Sequence, residues 1–159
     1  MSSLSSNKTQ PPKTARADEN QAFRIVAIDD DPLDLWMLQQ FAEEAEDPRC
    51  VIEEYEEIEA AVAAVKANPP QLVILDDRVN GVFSADAGID ALRASGYFGP
   101  VAVVSGAWRP GRRQALVQRG AIAFLDKDDL TPTAFMGLVD MAQAAGSLLR
   151  PERATIGVR

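Results

Sequence analysis

Apolar residues in this chain fall into short, nearly continuous runs closed by polar clusters, separated by stretches where they recur every three to four positions. Phe23–Ile28, Leu72–Leu75, Val101–Val104 and Ala121–Leu125 have strand length, and Cys50–Tyr55 reads as a further, edge-like strand. Continuous rather than alternating hydrophobicity marks strands covered on both faces. The segments between them read as helices. Asp31 is placed as an N-cap and Pro32 at the first helical position of a helix running to about Glu46, with Leu35, Leu38, Ala42 and Ala45 on one face. Glu57–Ala67 has acids at its start, Lys66 in its last turn and Asn68-Pro69-Pro70 as its stop. A Gly-containing loop over Asn80–Gly88 leads to a short helix at Ile89–Ala94. Arg112–Arg119, ended by Gly120, forms another, and Thr131-Pro132 opens a last helix burying Phe135, Leu138, Val139, Ala142 and Leu149. Five strand–helix alternations predict an α/β fold, a doubly wound five-stranded parallel sheet with five helices.

The polar stretch at residues 1–22 cannot bury enough surface to offset its ordering entropy and reads as a disordered tail. Residues 23–149 form one domain, and 150–159 a second tail. No apolar run approaches the ~18–20 residues of a membrane span, and no signal pattern opens the chain. The expectation is a soluble, cytoplasmic domain. Among 159 residues there is one Cys and no His, which excludes an internal disulfide, the usual zinc sites and His-dependent triads. Cys50 is expected to be an inert buried thiol. Chemistry is left to carboxylates, hydroxyls, Lys and Arg.

The net charge of −8 is unevenly spread. Glu43 to Glu59 holds nine acidic residues against Arg49, whereas Ala91 to Leu125 holds Arg93, Arg109, Arg112, Arg113 and Arg119 and no acid. The acidic balance argues against nucleic acid as the main partner.

In a doubly wound sheet, ligands bind outside the carboxyl ends of the strands. Here those ends carry Asp29 and Asp30, Asp76 and Asp77, Ser105, and Lys127. Clustered carboxylates without His or Cys suit a hard cation such as Mg²⁺, and an adjacent Lys and hydroxyl suit phosphoryl oxygens. The pattern reads as a Mg²⁺-dependent phosphoryl site with an Asp nucleophile. Asp76, directly after its apolar run, is the first choice of acceptor and Asp77 the alternative.

These residues resemble the receiver domain of two-component response regulators over about residues 23–149. Ile25-Val26-Ala27-Ile28-Asp29-Asp30 is similar to the acidic pair after the first strand, and Leu72-Val73-Ile74-Leu75-Asp76 to the phosphoacceptor strand. Val101–Val104 with Ser105-Gly106 and Ala121–Phe124–Lys127 are similar to the fourth and fifth strands, and Lys127 follows Ser105 by 22 positions, the family spacing. The resemblance implies a flavodoxin-like (CheY-like) strand order of 2-1-3-4-5. It also implies phosphorylation of Asp76 by a histidine kinase or histidine phosphotransfer protein, with no enzymatic activity beyond accepting and losing that group. Mg²⁺ would be held by Asp30, Asp76 and the Arg78 backbone carbonyl, with Asp29 acting through water. Lys127 would pair with a phosphoryl oxygen, and Ser105 and Phe124 would act as switch residues. Signalling would be through a downstream target protein, from a stand-alone regulator with no DNA-binding output domain. The face of fourth helix, fifth strand and fifth helix is a possible homodimer surface. The chain departs from the family at Asp128, where Pro is usual and the peptide is cis, and at Asn80, also usually Pro. The Asp76–Gly88 loop is about four residues longer than the common pattern, and Arg78 occupies a position that tunes dephosphorylation.

Two other readings stay open. Trp108 with Arg109, Arg112 and Arg113 would serve a phosphorylation-independent adaptor, clamping a nucleotide second messenger or an acidic protein through an Arg-rich 109–119 face. Asp29-x-Asp31 with a hydroxyl, a Lys and Mg²⁺ is also the pattern of haloacid-dehalogenase-type phosphatases, although Leu33 stands where Thr or Val is usual.

Overall fold

A computed structural model describes residues 22–149 of the chain. The two predicted tails, Ala22 apart, and the side chain of Leu149 lie outside the described part. Five parallel strands, β1 (Phe23–Ile28), β2 (Cys50–Tyr55), β3 (Leu72–Asp76), β4 (Val101–Ser105) and β5 (Ala123–Asp126), form one sheet. Their spatial order is β2-β1-β3-β4-β5, as predicted. Ile25 lies opposite Ile52 on one side and Leu72 on the other, Leu75 opposite Val103, and Val103 opposite Phe124.

The pleat sends alternate residues of each strand to opposite faces. Ile25, Ala27, Leu72, Ile74, Ala102, Val104 and Ala123 meet α1 (Pro32–Glu44) and α5 (Pro132–Leu149) through Leu35, Leu38, Phe135 and Val139. Val26, Ile28, Val73, Leu75, Val101 and Val103 meet α2 (Ile58–Ala67), α3 (Ala85–Ala94) and α4 (Arg112–Gln118) through Val65, Ile89, Leu92 and Leu116. Both sides of the sheet's interior are therefore dry, which is why β1, β3 and β4 read as unbroken apolar runs.

The structure changes three details of the sequence reading. Helix α3 begins at Ala85, four residues before the predicted start at Ile89. Gly88, which weakens a helix reading, lies where a Cβ would stand 2.9 Å from Leu75 Cδ2, so the glycine lets α3 pack closely on β3. Strand β5 begins at Ala123 rather than Ala121. Gly120 (φ +100°), with the Gly120 N–H donating to Val117 and the Ala121 N–H to Leu116, closes α4 in a Schellman turn that uses up those residues. The long loop after β3 holds an antiparallel hairpin, Arg78–Val79 against Val82–Phe83. Its turn is Asn80-Gly81, both at positive φ (54° and 76°), the pair favoured in two-residue hairpins. Among the described residues only Asp47–Pro48 is cis, so the Lys127–Asp128 bond is trans, as the absence of Pro predicted.

Phe135 is fully buried between α5 and the sheet, whereas Phe98 is 70% exposed. Phe135→Ala is expected to lower stability by about 3–5 kcal/mol and Phe98→Ala by less than about 0.5 kcal/mol, read from urea unfolding midpoints.

Candidate functional site: a shared ammonium at the strand ends

The same alternation sorts the paired acids at the strand ends. Asp29 continues the Ile25–Ala27 series, Asp76 the Leu72–Ile74 series and Lys127 the Ala123–Leu125 series, so all three turn to the α1 side of the sheet. There Lys127 Nζ donates to Asp29 Oδ2 at 3.0 Å, to Asp76 Oδ2 at 3.2 Å and to Asp34 Oδ2 at 2.6 Å. Asp29 and Asp76 are buried. Carboxylate oxygens of Asp29, Asp30 and Asp76 all lie within 4.8 Å of one another. This all-oxygen donor set suits a hard divalent cation such as Mg²⁺.

Backbone amides hold each acid in place. Asp29 Oδ1 accepts from the Asp31 N–H at 2.9 Å and Asp76 Oδ1 from the Arg78 N–H at 3.2 Å. Asp30 is exposed, and its Oδ2 accepts from the Asn80 N–H at 2.8 Å, so the hairpin turn steadies this outer carboxylate. Burial, with the Asp76 charge beside it, pushes the Asp29 carboxyl up to about 7 against the Asp31 amide and Lys127. Burial likewise raises Asp76 above the usual carboxylate range, opposed by the Arg78 N–H and Lys127. For Lys127 burial works against the charge, but the hydrogen bonds to Asp34 and Asp29 and the field of Asp29 and Asp76 outweigh it. The ammonium is therefore firmly protonated.

Asp34 is the site residue that sequence reasoning missed. It precedes the buried Leu38 by four positions, one helical turn, so the period of α1 already put it on the stripe facing the sheet. Asp31 is not in the cluster. Its side chain accepts from the Leu33 N–H as the α1 N-cap, which leaves the Asp29-x-Asp31 phosphatase reading without its second carboxylate. Ser105 sits at the end of β4 with its hydroxyl donating to the Ala107 carbonyl at 3.1 Å. The exposed Arg78 starts the hairpin, and its guanidinium donates to the Gly81 carbonyl at 3.0 Å. The Cys50 thiol is buried and pushed up to about 11 by that burial.

Asp77, the alternative acceptor, takes the opposite pleat parity to Asp76. It is fully buried and receives the Arg112 guanidinium through both Nε and Nη2, while Arg112 Nη1 donates to Asp86. Arg119 pairs with Asp86 and Asp90 on α3. Of the Arg-rich face, Arg112 is therefore turned inward. Arg112 is an internal strut between α4, β3 and α3, held there because a buried Asp77 charge requires a paired cation. Trp108 packs T-shaped on Phe124 at 5.6 Å, and the Arg113 guanidinium lies 4.8 Å from the Trp108 ring, so the aromatic–Arg stack is intramolecular. Arg109 is exposed on the loop before α4.

No family model and no curated protein sequence matches the chain. Solved structures do. The chain is similar to the signal receiver domain of a NarL response regulator from Mycobacterium tuberculosis, with TM-score 0.66 and 27% identity over 77% of this chain and 98% of that one. It also matches the chemotaxis protein CheY4 of Vibrio cholerae, with TM-score 0.66 and 18% identity over 76% and 98% of the two chains. A CheY-like receiver domain protein from Methanospirillum hungatei matches with TM-score 0.67 and 16% identity over 80% and 98%. The chain has the fold of CheY-like receiver domains. No helix among the described residues is long and apolar enough to cross a membrane.

Two predictions follow from the charges. Removing Arg112 strands the Asp77 carboxylate, so Arg112→Ala is expected to cost about 3–5 kcal/mol in urea unfolding, and Arg113→Ala, at an exposed pair, about 1 kcal/mol or less. The fold prefers neutral Asp29, so this group's contribution to stability is complete below its ordinary value of 3.8 and lost as the pH rises through about 7. Metal-free wild type should match Asp29→Asn in urea midpoint at the acid end of that window and fall below it at the alkaline end. Mg²⁺ should narrow the gap.

Proposed function

We propose that this chain is the phosphoryl-accepting receiver of a two-component relay, acting in the cytoplasm. Asp76 takes the phosphoryl group from the phosphohistidine of a sensor kinase or phosphotransfer protein, and the signal passes on by protein–protein contact. The observation that carries this reading is the placement of Asp76 Oδ2 3.2 Å from the Lys127 ammonium, within a cluster of Asp29 and Asp30 oxygens. An Asp76 oxygen attacks phosphorus, a P–O bond forms and the P–N bond to the donor imidazole breaks. The imidazole leaves with its electron pair and regains a proton. The missing His of this chain then belongs to the partner.

Asp30, Asp76 and the Arg78 carbonyl would hold Mg²⁺, with Asp29 acting through water. When bound, the ion supplies neutralisation of phosphoryl charge. Lys127 orients a phosphoryl oxygen and offsets its charge from the opposite side. Ser105, at the end of the neighbouring strand, can exchange its Ala107 partner for a phosphoryl oxygen. Phe124 follows it inward and carries Trp108, its packing partner, so the change reaches the start of α4. Arg78, held by Gly81 on the hairpin, limits the approach of the hydrolytic water from that side. The chain does no other chemistry than accepting and losing this group.

Intact-mass measurement after acetyl phosphate and Mg²⁺ treatment tests the reading. Wild type is expected to gain one phosphoryl group and Asp76→Asn none. A wild type that gains no mass, or an Asp76→Asn variant that gains as much, would sink it.

A further inference from the structure

The ammonium of Lys127 has three N–H donors, and each is directed to a different carboxylate. The shortest of the three bonds, 2.6 Å, goes to Asp34 on α1, and the longest, 3.2 Å, goes to Asp76. The Asp34 side chain is only 17% exposed, so water screens it little. Three carboxylates, Asp29, Asp34 and Asp76, thus surround a single ammonium, and Asp30 joins the oxygen cluster of Asp29 and Asp76. Asp34 is not one of the three carboxylates, Asp29, Asp30 and Asp76, whose oxygens lie within 4.8 Å of one another. Its effect on that cluster runs through Lys127 and through its charge.

We propose that Asp34 is a positioning residue that draws Lys127 toward α1, which biases the site toward a cation and against an anion on Asp76. The proposal rests on the receiver reading of Asp76. A phosphoryl oxygen must win a Lys127 N–H from Asp34, and it does so beside an additional negative charge. A divalent cation faces the opposite balance. It gains from the extra carboxylate, and it competes with an ammonium that is partly withdrawn from Asp76. Removing the Asp34 charge therefore weakens the cation and strengthens the anion. A loss of helix-capping charge at α1 or of packing near Leu38 would not produce this pair of opposite shifts.

The full chain is compared as wild type, Asp34→Asn and Asp34→Glu, with unfolding midpoints recorded to confirm that each is folded. Calorimetric titration with Mg²⁺ alone is expected to give a dissociation constant about 3- to 10-fold weaker for Asp34→Asn, the scale of one partly buried charge pair, and a value restored toward wild type for Asp34→Glu. At saturating Mg²⁺, beryllofluoride, a phosphoryl analogue, should bind Asp34→Asn more tightly by a similar factor. An unchanged or tighter Mg²⁺ constant in Asp34→Asn overturns the proposal. So does an Asp34→Glu protein that behaves like Asp34→Asn, or a beryllofluoride affinity that does not rise. If wild type binds Mg²⁺ but neither takes a phosphoryl group nor binds beryllofluoride, the receiver reading fails by itself. The Mg²⁺ comparison then decides whether Asp34 acts on the cation.

Discussion

One ammonium, Lys127 Nζ, joins carboxylates carried by β1, α1 and β3 at the carboxyl edge of the sheet. Two of those acids, Asp29 and Asp76, are buried, which raises their proton affinity, and Lys127 opposes that shift at both. Lys127 brings one ammonium to that cluster through three ion pairs. The rest of the site is arranged around these acids. Backbone N–H groups of Asp31, Arg78 and Asn80 each point at one acid, and oxygens of Asp29, Asp30 and Asp76 lie within 4.8 Å of one another.

The sheet makes this possible through parity. In a strand covered on both faces, each step along the chain crosses the sheet, so neighbouring acids in Asp76-Asp77 serve opposite layers. Asp76 enters the carboxylate–Lys127 cluster on the α1 side. Asp77 enters the α3–α4 layer, where Arg112 neutralises it and ties the first turn of α4 to the end of β3. The two charge centres are adjacent in sequence and share the β3 terminus. The Asp76 carboxylate and the position of α4 are thereby connected through one peptide unit.

Much of this was legible in the sequence. Apolar runs located β1 to β5, their polar closures picked out Asp29, Asp30, Asp76, Ser105 and Lys127, and Asp31-Pro32 marked the start of α1. The hairpin was legible in principle, because Asn80-Gly81 is a strong turn signal, but its strands are two residues each and carry no periodicity. The start of α3 was obscured by Gly88, whose reason is a long-range approach to Leu75. Asp34 was hidden because an acid in the first turn of a helix ordinarily serves the helix dipole.

Which segments become strands and helices, and that carboxylates and one Lys stand at the strand ends, follow from local periodicity and residue type, which are properties of neighbours along the chain. Which face each acid takes is a choice that residue order along the chain does not settle. In β1 and β3 both faces are apolar, so the pattern cannot tell the α1 layer from the α3–α4 layer. That choice is made by packing between elements far apart in sequence, and it turned Arg112 inward to Asp77 and brought Asp34, 93 residues away, onto Lys127.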